Sequence, residues 1–115
     1  MLEINVIKKC ILIPASKHLN MIPGCRFYLI AGPNNYMGLL DQGSMIEIAG
    51  YISNNPALLG KLLDALEEVK QMWNMDVSYH YGKVQDRDKI IYTKHGYTIK
   101  EDSPFTGLTN LKKGR

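Results

Sequence analysis

Between Ser53 and Val69 the chain passes from the end of a strand into one long amphipathic helix, and no other stretch restricts the fold as much. In Ser53-Asn54-Asn55-Pro56, Asn54 or Asn55 can cap the helix, and Pro56 suits the first helical position because it lacks only a donor not needed there. Leu59, Leu62, Leu63, Leu66 and Val69 then recur at helical spacing as one apolar stripe. Asp64, Glu67, Glu68 and Lys70 fall on the other face. Such a stripe must be buried against a second layer, and the flanking segments read as strands. Gly60 costs about 1 kcal/mol relative to alanine inside a helix. It marks either a close packing partner or a tolerated flaw.

Leu2 to Ile13 is rich in Ile and Val and reads as a strand, interrupted near Lys8-Lys9 and followed by Pro14. Ala15 to Met21 reads as one or two helical turns capped by Ser16 and stopped by Pro23-Gly24. Arg26 to Ala31 and Tyr36 to Leu40 form a hairpin around Gly32-Pro33-Asn34-Asn35. After Gln42-Gly43-Ser44, Met45 to Ile52 is the next strand. Asp76 to Tyr81 is a strand, Gln85 to His95 a helix closed by Gly96, and Tyr97 to Lys100 a strand. Asp102 to Thr106 is a loop, and Gly107 to Leu111 a final edge strand. Two helices among strands give an α+β class.

The 115 residues suit a single domain, 1–115, with a modest core. Apolar residues make up 45% and charged ones 22%, the balance of an ordinary globular protein. No apolar run approaches the roughly 20 residues that span a bilayer, and Met1-Leu2-Glu3 does not open a secretory signal. Cys10 and Cys25 read as buried, reduced thiols, and the compartment as cytoplasmic. The formal charge of +3 comes mostly from Lys112, Lys113 and Arg115, read as a solvated end. That is too sparse for a nucleic-acid face and compatible with a phosphorylated ligand. Neither nucleic acid nor membrane is expected as a partner.

The stretch Ile-Ile-Tyr-Thr-Lys-His-Gly-Tyr, from Ile90 to Tyr97, is a short helix stopped by glycine, with a strand starting at once. Gln85 through Tyr97 resembles the "Asn-x-x-Ala-x-x-x-Tyr-x-Lys-x-Gly-Phe" segment of the GNAT-type N-acyltransferases, with Tyr92, Lys94, Gly96 and Tyr97 in register. Leu62 to Glu68 resembles the body of that family's cofactor-binding helix. Tyr36-Met37-Gly38 resembles the aliphatic-Gly step after the hairpin of that family's second and third strands. The resemblance covers Arg26 to Lys112. It implies a GNAT-like mixed central sheet with a helix on each face, here with a shortened N-terminal half.

The family's function, carried over, is transfer of an acetyl group from acetyl coenzyme A to a primary amine. By resemblance Tyr92 is the general acid. The strand-end backbone of Tyr51 and Ile52 contacts the cofactor, as do Ala57, Leu58, Leu59 and Gly60 at the helix start, with Gln85 and Tyr92. Glycines in the family's cofactor loop let amides reach a diphosphate at a helix N-terminus. In this chain the loop reads Asn54-Asn55-Pro56-Ala57-Leu58-Leu59-Gly60. No Arg precedes the helix, Gln85 replaces the family's Asn, and Asp88 its Ala.

The amine must lose a proton before it attacks a thioester. Glu47, mid-strand between Ile46 and Ile48, is the first candidate base, with an exposed surface carboxylate as the other reading. His80, in the fifth of the family's strands, is the second candidate, against a structural histidine. No metal set is expected, because His18, His80 and His95 are scattered and neither cysteine has a ligand partner at the right spacing. Serine hydrolysis has no Gly-x-Ser-x-Gly elbow to support it. Two readings stand: an acetyltransferase acting on a small-molecule or protein amine, with a dimer partner able to complete the cleft, or a catalytically degenerate GNAT-like scaffold acting by protein contacts, of a kind a phage might encode.

Overall fold

The computed structural model describes residues 5–43, 45–75, 77–80, 84–99 and 111–114. Their order is β1 (Asn5–Ile7), β2 (Cys10–Pro14), β3 (Phe27–Gly32), β4 (Asn35–Gln42), β5 (Met45–Ser53), α1 (Pro56–Met72), β6 (Val77–His80), α2 (Asp86–Lys94), β7 (Thr98–Ile99) and β8 (Leu111–Gly114). The strands form one mixed sheet in the order β1-β2-β3-β4-β5-β6-β8-β7. β1 to β5 are antiparallel neighbours, while β5 and β6 pair in parallel. A parallel pair needs a crossover connection, and α1 supplies it. The α+β class and the short N-terminal half are those expected.

α1 forms where the stripe predicts. Its cap is Asn55, whose side chain accepts from the amides of Ala57 and Leu58. Leu59, Leu62, Leu63, Leu66 and Val69 are all buried against Leu12, Leu29, Met37, Leu39, Ile46 and Ile48 of the sheet. At about 1.5–3 kcal/mol per buried aliphatic side chain, this face supplies most of the driving force for folding. The helix ends where Asn74 turns left-handed, at φ 55°, and the Met75 amide donates to the Lys70 carbonyl at 2.8 Å. α2 ends the same way, with Gly96 at φ 90° and the Tyr97 amide donating to the Tyr92 carbonyl at 3.0 Å.

Both helices lie on one face of the sheet, α1 with α2 beside it through the Tyr51–Tyr92 ring contact, and not one on each face as the resemblance implies. The opposite face is covered at Tyr28 by the 15–26 segment. Here Gly38 and Gly50 are cross-strand partners. A Cβ on Gly38 would stand 2.9 Å from the Cys25 Cβ, and one on Gly50 3.2 Å from the Ile22 Cγ2. The two glycines leave the flat floor on which that segment lies. The Ile22 amide is pinned there by a 2.8 Å bond to the Tyr28 hydroxyl oxygen.

Several elements differ from expectation. The first strand is a hairpin, because Lys8 and Lys9 both take left-handed φ, 49° and 68°, the backbone of a two-residue turn. Its predicted start, Leu2 to Ile4, lies outside the described residues. Ala15 to Met21 forms no helix. Ser16 does cap, but it closes a single turn onto the Leu19 amide between two prolines. The last strand begins at Leu111 and lies between β6 and β7, so it is not an edge. Lys112 and Lys113 fall within that strand and not in a tail. Lys70 is buried, its stem within the core and its ammonium 3.4 Å from Glu67. Cys25 is only half-buried. Ser44, Asp76, Tyr81, Lys100 to Asn110 and Arg115 lie outside the described residues.

Candidate functional site

β5 and β6 are in register from Met45 opposite Val77 to Ile48 opposite His80. Beyond Ile48, β5 runs on to Ser53 with β4 as its partner. The register skips Ala49, with Gly38 facing Gly50 and Leu39 facing Ile48, so a bulge follows the last described parallel pair. The far end of β5 leads directly into the start of α1. A strand end that leads into a helix N-terminus is a place where an α/β sheet takes a ligand.

Two polar clusters border this end of β5. Asn35, 2% exposed, ties the β3–β4 turn to the helix start. Its amide donates to the Asn54 Oδ1 at 2.8 Å, and its Oδ1 accepts from the Ser53 hydroxyl and the Asn54 amide, each at 3.1 Å. The second cluster joins β5 to α2. The Tyr51 hydroxyl donates to the Asp88 Oδ2 at 2.6 Å and accepts from the Gln85 amide at 3.0 Å. Burial, and then the Asp88 carboxylate, push the Tyr51 hydroxyl far above the usual tyrosine range. Asp88 is itself buried and lies 3.6 Å from the Arg87 guanidinium. Arg87 also donates to the Ser53 carbonyl at 2.6 Å. Asn54, Asn55, Pro56, Arg87 and Asp88 line a small cleft of about 70 Å³.

The anion-binding capacity of this end divides into two parts. The α1 amides of Ala57 and Leu58 are occupied by the Asn55 carboxamide, at 2.9 and 3.4 Å, and the Leu59 amide donates to the Asn55 carbonyl at 3.0 Å. Pro56 has no donor. An incoming phosphate must therefore displace a side chain that already satisfies the helix end. Arg87, in contrast, is largely exposed and brings a guanidinium to the same cleft. A cation absent from the segment before α1 is thus supplied from α2.

The residues singled out from the sequence are placed as follows. Tyr51 and Ile52 lie on the half of β5 nearer α1, Tyr51 half-buried and Ile52 45% exposed on the opposite face. Gln85 caps α2 with its backbone, and its amide meets Tyr51. Gly60 faces the other way along α1. A Cβ there would lie 3.5 Å from the His95 ring, an ordinary contact distance, so packing does not demand glycine at this position. His95 in turn reaches Asp64 at 3.2 Å. Tyr92 is fully buried, edge-on to Tyr51 at 5.9 Å and to Tyr97 at 5.2 Å. Burial holds its hydroxyl well above the ordinary range. Glu47 lies between Leu40 and Tyr79 in the sheet. Ile46 and Ile48 point to the core, so Glu47 points to the opposite face from Tyr92. His80 pairs with Ile48 through its backbone, and its side chain lies outside the described part. Tyr51, Gln85 and Tyr92 are brought together, and Glu47 is separated from them by the sheet.

Asp88, Arg87 and Asn35 were not anticipated as site residues. Asp88 signalled itself only as a charge where the family resemblance calls for alanine. Arg87 and Asn35 carry no local signal, since their meaning comes from elements 34 and 19 residues away. Among the described residues no group of His, Cys, Asp or Glu is arranged to hold a metal ion. No helix among them is long and apolar enough to cross a membrane.

No protein-family model matches the chain, and no curated protein matches it. Solved structures do. A candidate acyl-CoA N-acyltransferase from Klebsiella pneumoniae superposes with a TM-score of 0.58 at 15% identity, over 93% of this chain and 73% of the other. A Bacillus subtilis acetyltransferase in complex with CoA superposes with a TM-score of 0.56 at 16% identity, over 94% and 78%. The chain has the GNAT-type, acyl-CoA N-acyltransferase fold, in a divergent form.

Proposed function

We propose that this chain is a single GNAT-like domain, acting in the cytoplasm, that binds acetyl coenzyme A at the α1 end of β5 and transfers its acetyl group to a primary amine. The observation that carries the reading is the junction of β5 with α1, where Arg87 donates to the Ser53 carbonyl at 2.6 Å and lines a small cleft with Asn54, Asn55 and Pro56 at the α1 N-terminus. The cofactor supplies an activated acyl thioester. Arg87 holds its phosphates, joined by the Ala57 and Leu58 amides once the Asn55 carboxamide turns aside. The backbone at Tyr51 and Ile52 offers the strand-end groups that orient the acyl arm. Tyr51, through Asp88 and the Gln85 amide, fixes α2 against β5 and so sets where Tyr92 stands. Tyr92 gives the proton to the departing sulfur. His80 takes the proton from the amine, because Glu47 lies across the sheet from Tyr92.

The fit is partial, and that favours a second reading in one respect. The capped helix end and the fully buried Tyr92 are also what a degenerate scaffold working by protein contacts would show. Calorimetry with acetyl coenzyme A separates the two. The acetyltransferase reading expects one-site binding and a raised melting temperature, since a ligand that binds the folded state alone must stabilise it. No heat and no thermal shift at millimolar ligand leave the scaffold.

A further inference from the structure

Coenzyme A carries a diphosphate and a further phosphate on its ribose, whereas the junction of β5 with α1 is equipped for one phosphate. A diphosphate at a helix N-terminus needs several open amides, with glycines that let them approach it. Pro56 has no amide proton, and the Asn55 carboxamide holds the Ala57 and Leu58 amides. The Leu59 amide is spent within the helix, on the Asn55 carbonyl at 3.0 Å. Gly60 faces the His95 ring and not the cleft. Leu58 turns back onto the sheet, its Cδ1 3.6 Å from where a Cβ on Gly32 would stand, and Leu59 is fully buried.

The side chains are as sparing. Among the described residues that line the cleft, Arg87 is the one cation, and Asp88 is an anion 3.6 Å from it. Asn54 and Asn55 add neutral carboxamides. Asp88 is 3% exposed and accepts from the Tyr51 hydroxyl at 2.6 Å, which fixes its carboxylate in place. An arginine fork serves one phosphate well. With the Ala57 and Leu58 amides released by Asn55, that phosphate has its donors. A second phosphate beside it meets the Asp88 carboxylate and no further cation among these residues. The volume of the cleft, about 70 Å³, is on the same scale as a single oxyanion.

We propose that this site reads a single phosphate. Its ligand class is an S-acyl 4′-phosphopantetheine, recognised through the thioester arm and the one phosphate at Arg87, and the nucleotide half of coenzyme A lies outside the site and adds little affinity. The inference rests on the acetyltransferase reading and sharpens what that reading asks of the acyl donor.

Calorimetry of the full chain with acetyl coenzyme A, S-acetyl-4′-phosphopantetheine and S-acetylpantetheine tests it. The first two bind within about threefold of each other. S-acetylpantetheine, which lacks the phosphate, binds about 10- to 100-fold more weakly, the worth of one charge-assisted pair. Arg87→Gln, folded by circular dichroism, binds all three alike. Acetyl coenzyme A binding at least about tenfold more tightly than S-acetyl-4′-phosphopantetheine overturns the inference and leaves the acetyltransferase reading standing. Equal binding of S-acetylpantetheine by the unaltered chain overturns it too, because no phosphate is then read. Failure of all three to bind overturns the acetyltransferase reading and this inference with it.

Discussion

Removing one oxygen atom, by Tyr51→Phe, tests how β5 and α2 are held together. The Tyr51 hydroxyl makes two bonds, donating to the Asp88 Oδ2 at 2.6 Å and accepting from the Gln85 amide at 3.0 Å. A hydrogen bond to a charged partner contributes about 1.5–3 kcal/mol, and its loss leaves a buried carboxylate short of a donor. Asp88 is 3% exposed, so water does not take the vacated place without rearrangement. Arg87, at 3.6 Å, keeps part of the compensation. The expected cost is about 2 kcal/mol, which for a domain of this size lowers the melting temperature by roughly 8 °C. Asp88→Ala has a similar cost. Because the two residues share one bond, the double variant loses less than the sum, with a coupling of about 1 kcal/mol or more. Urea unfolding of the four proteins supplies the numbers. Strict additivity, or a Tyr51→Phe cost below about 0.5 kcal/mol, would refute the reasoning.

The remaining predictions concern packing, capping and pH. Gly38→Ala forces a Cβ to within 2.9 Å of Cys25, and overpacking of this kind costs about 1–3 kcal/mol in chemical denaturation, more than Gly50→Ala. Asn55→Gly removes the α1 cap at a loss of at most about 1 kcal/mol, yet frees the Ala57 and Leu58 amides, so acetyl coenzyme A binds more tightly to the variant in calorimetry. Base-induced unfolding begins near pH ~10, because burial raises Tyr92 and Tyr97 above the unfolded tyrosine value. The unfolded chain then releases protons that the folded one retains. The stability is complete below that pH and falls as pH rises, which a pH series of thermal melts reads.

How much of this was legible in the sequence depends on how local each signal is. α1 was readable in full, since its cap, its proline and its stripe all lie within the same 20 residues. The hairpins at Asn34 and Gly43 carry the residues that a left-handed turn favours, and both form. The turn at Lys8-Lys9 does not, because lysine has no preference for that backbone and takes it only where the flanking strands pair. Ala15 to Met21 has a cap but no apolar stripe, and what decides its path is a floor built by Gly38 and Gly50 far along the chain. At the site, the spacing around Tyr92 was visible, as was the departure at Asp88. Its explanation, a buried carboxylate serving Tyr51 of another element, is a tertiary fact. The same holds for Arg87, which the chain order hides and the fold delivers to the α1 N-terminus.

Calorimetric titration of the chain and of Arg87→Ala with acetyl coenzyme A bears most directly on the β5–α1 junction as a cofactor site. Binding to the unaltered chain, weakened at least about tenfold by an Arg87→Ala variant that is still folded by circular dichroism, is the predicted result. No binding by the unaltered chain, or equal binding by both proteins, would contradict it.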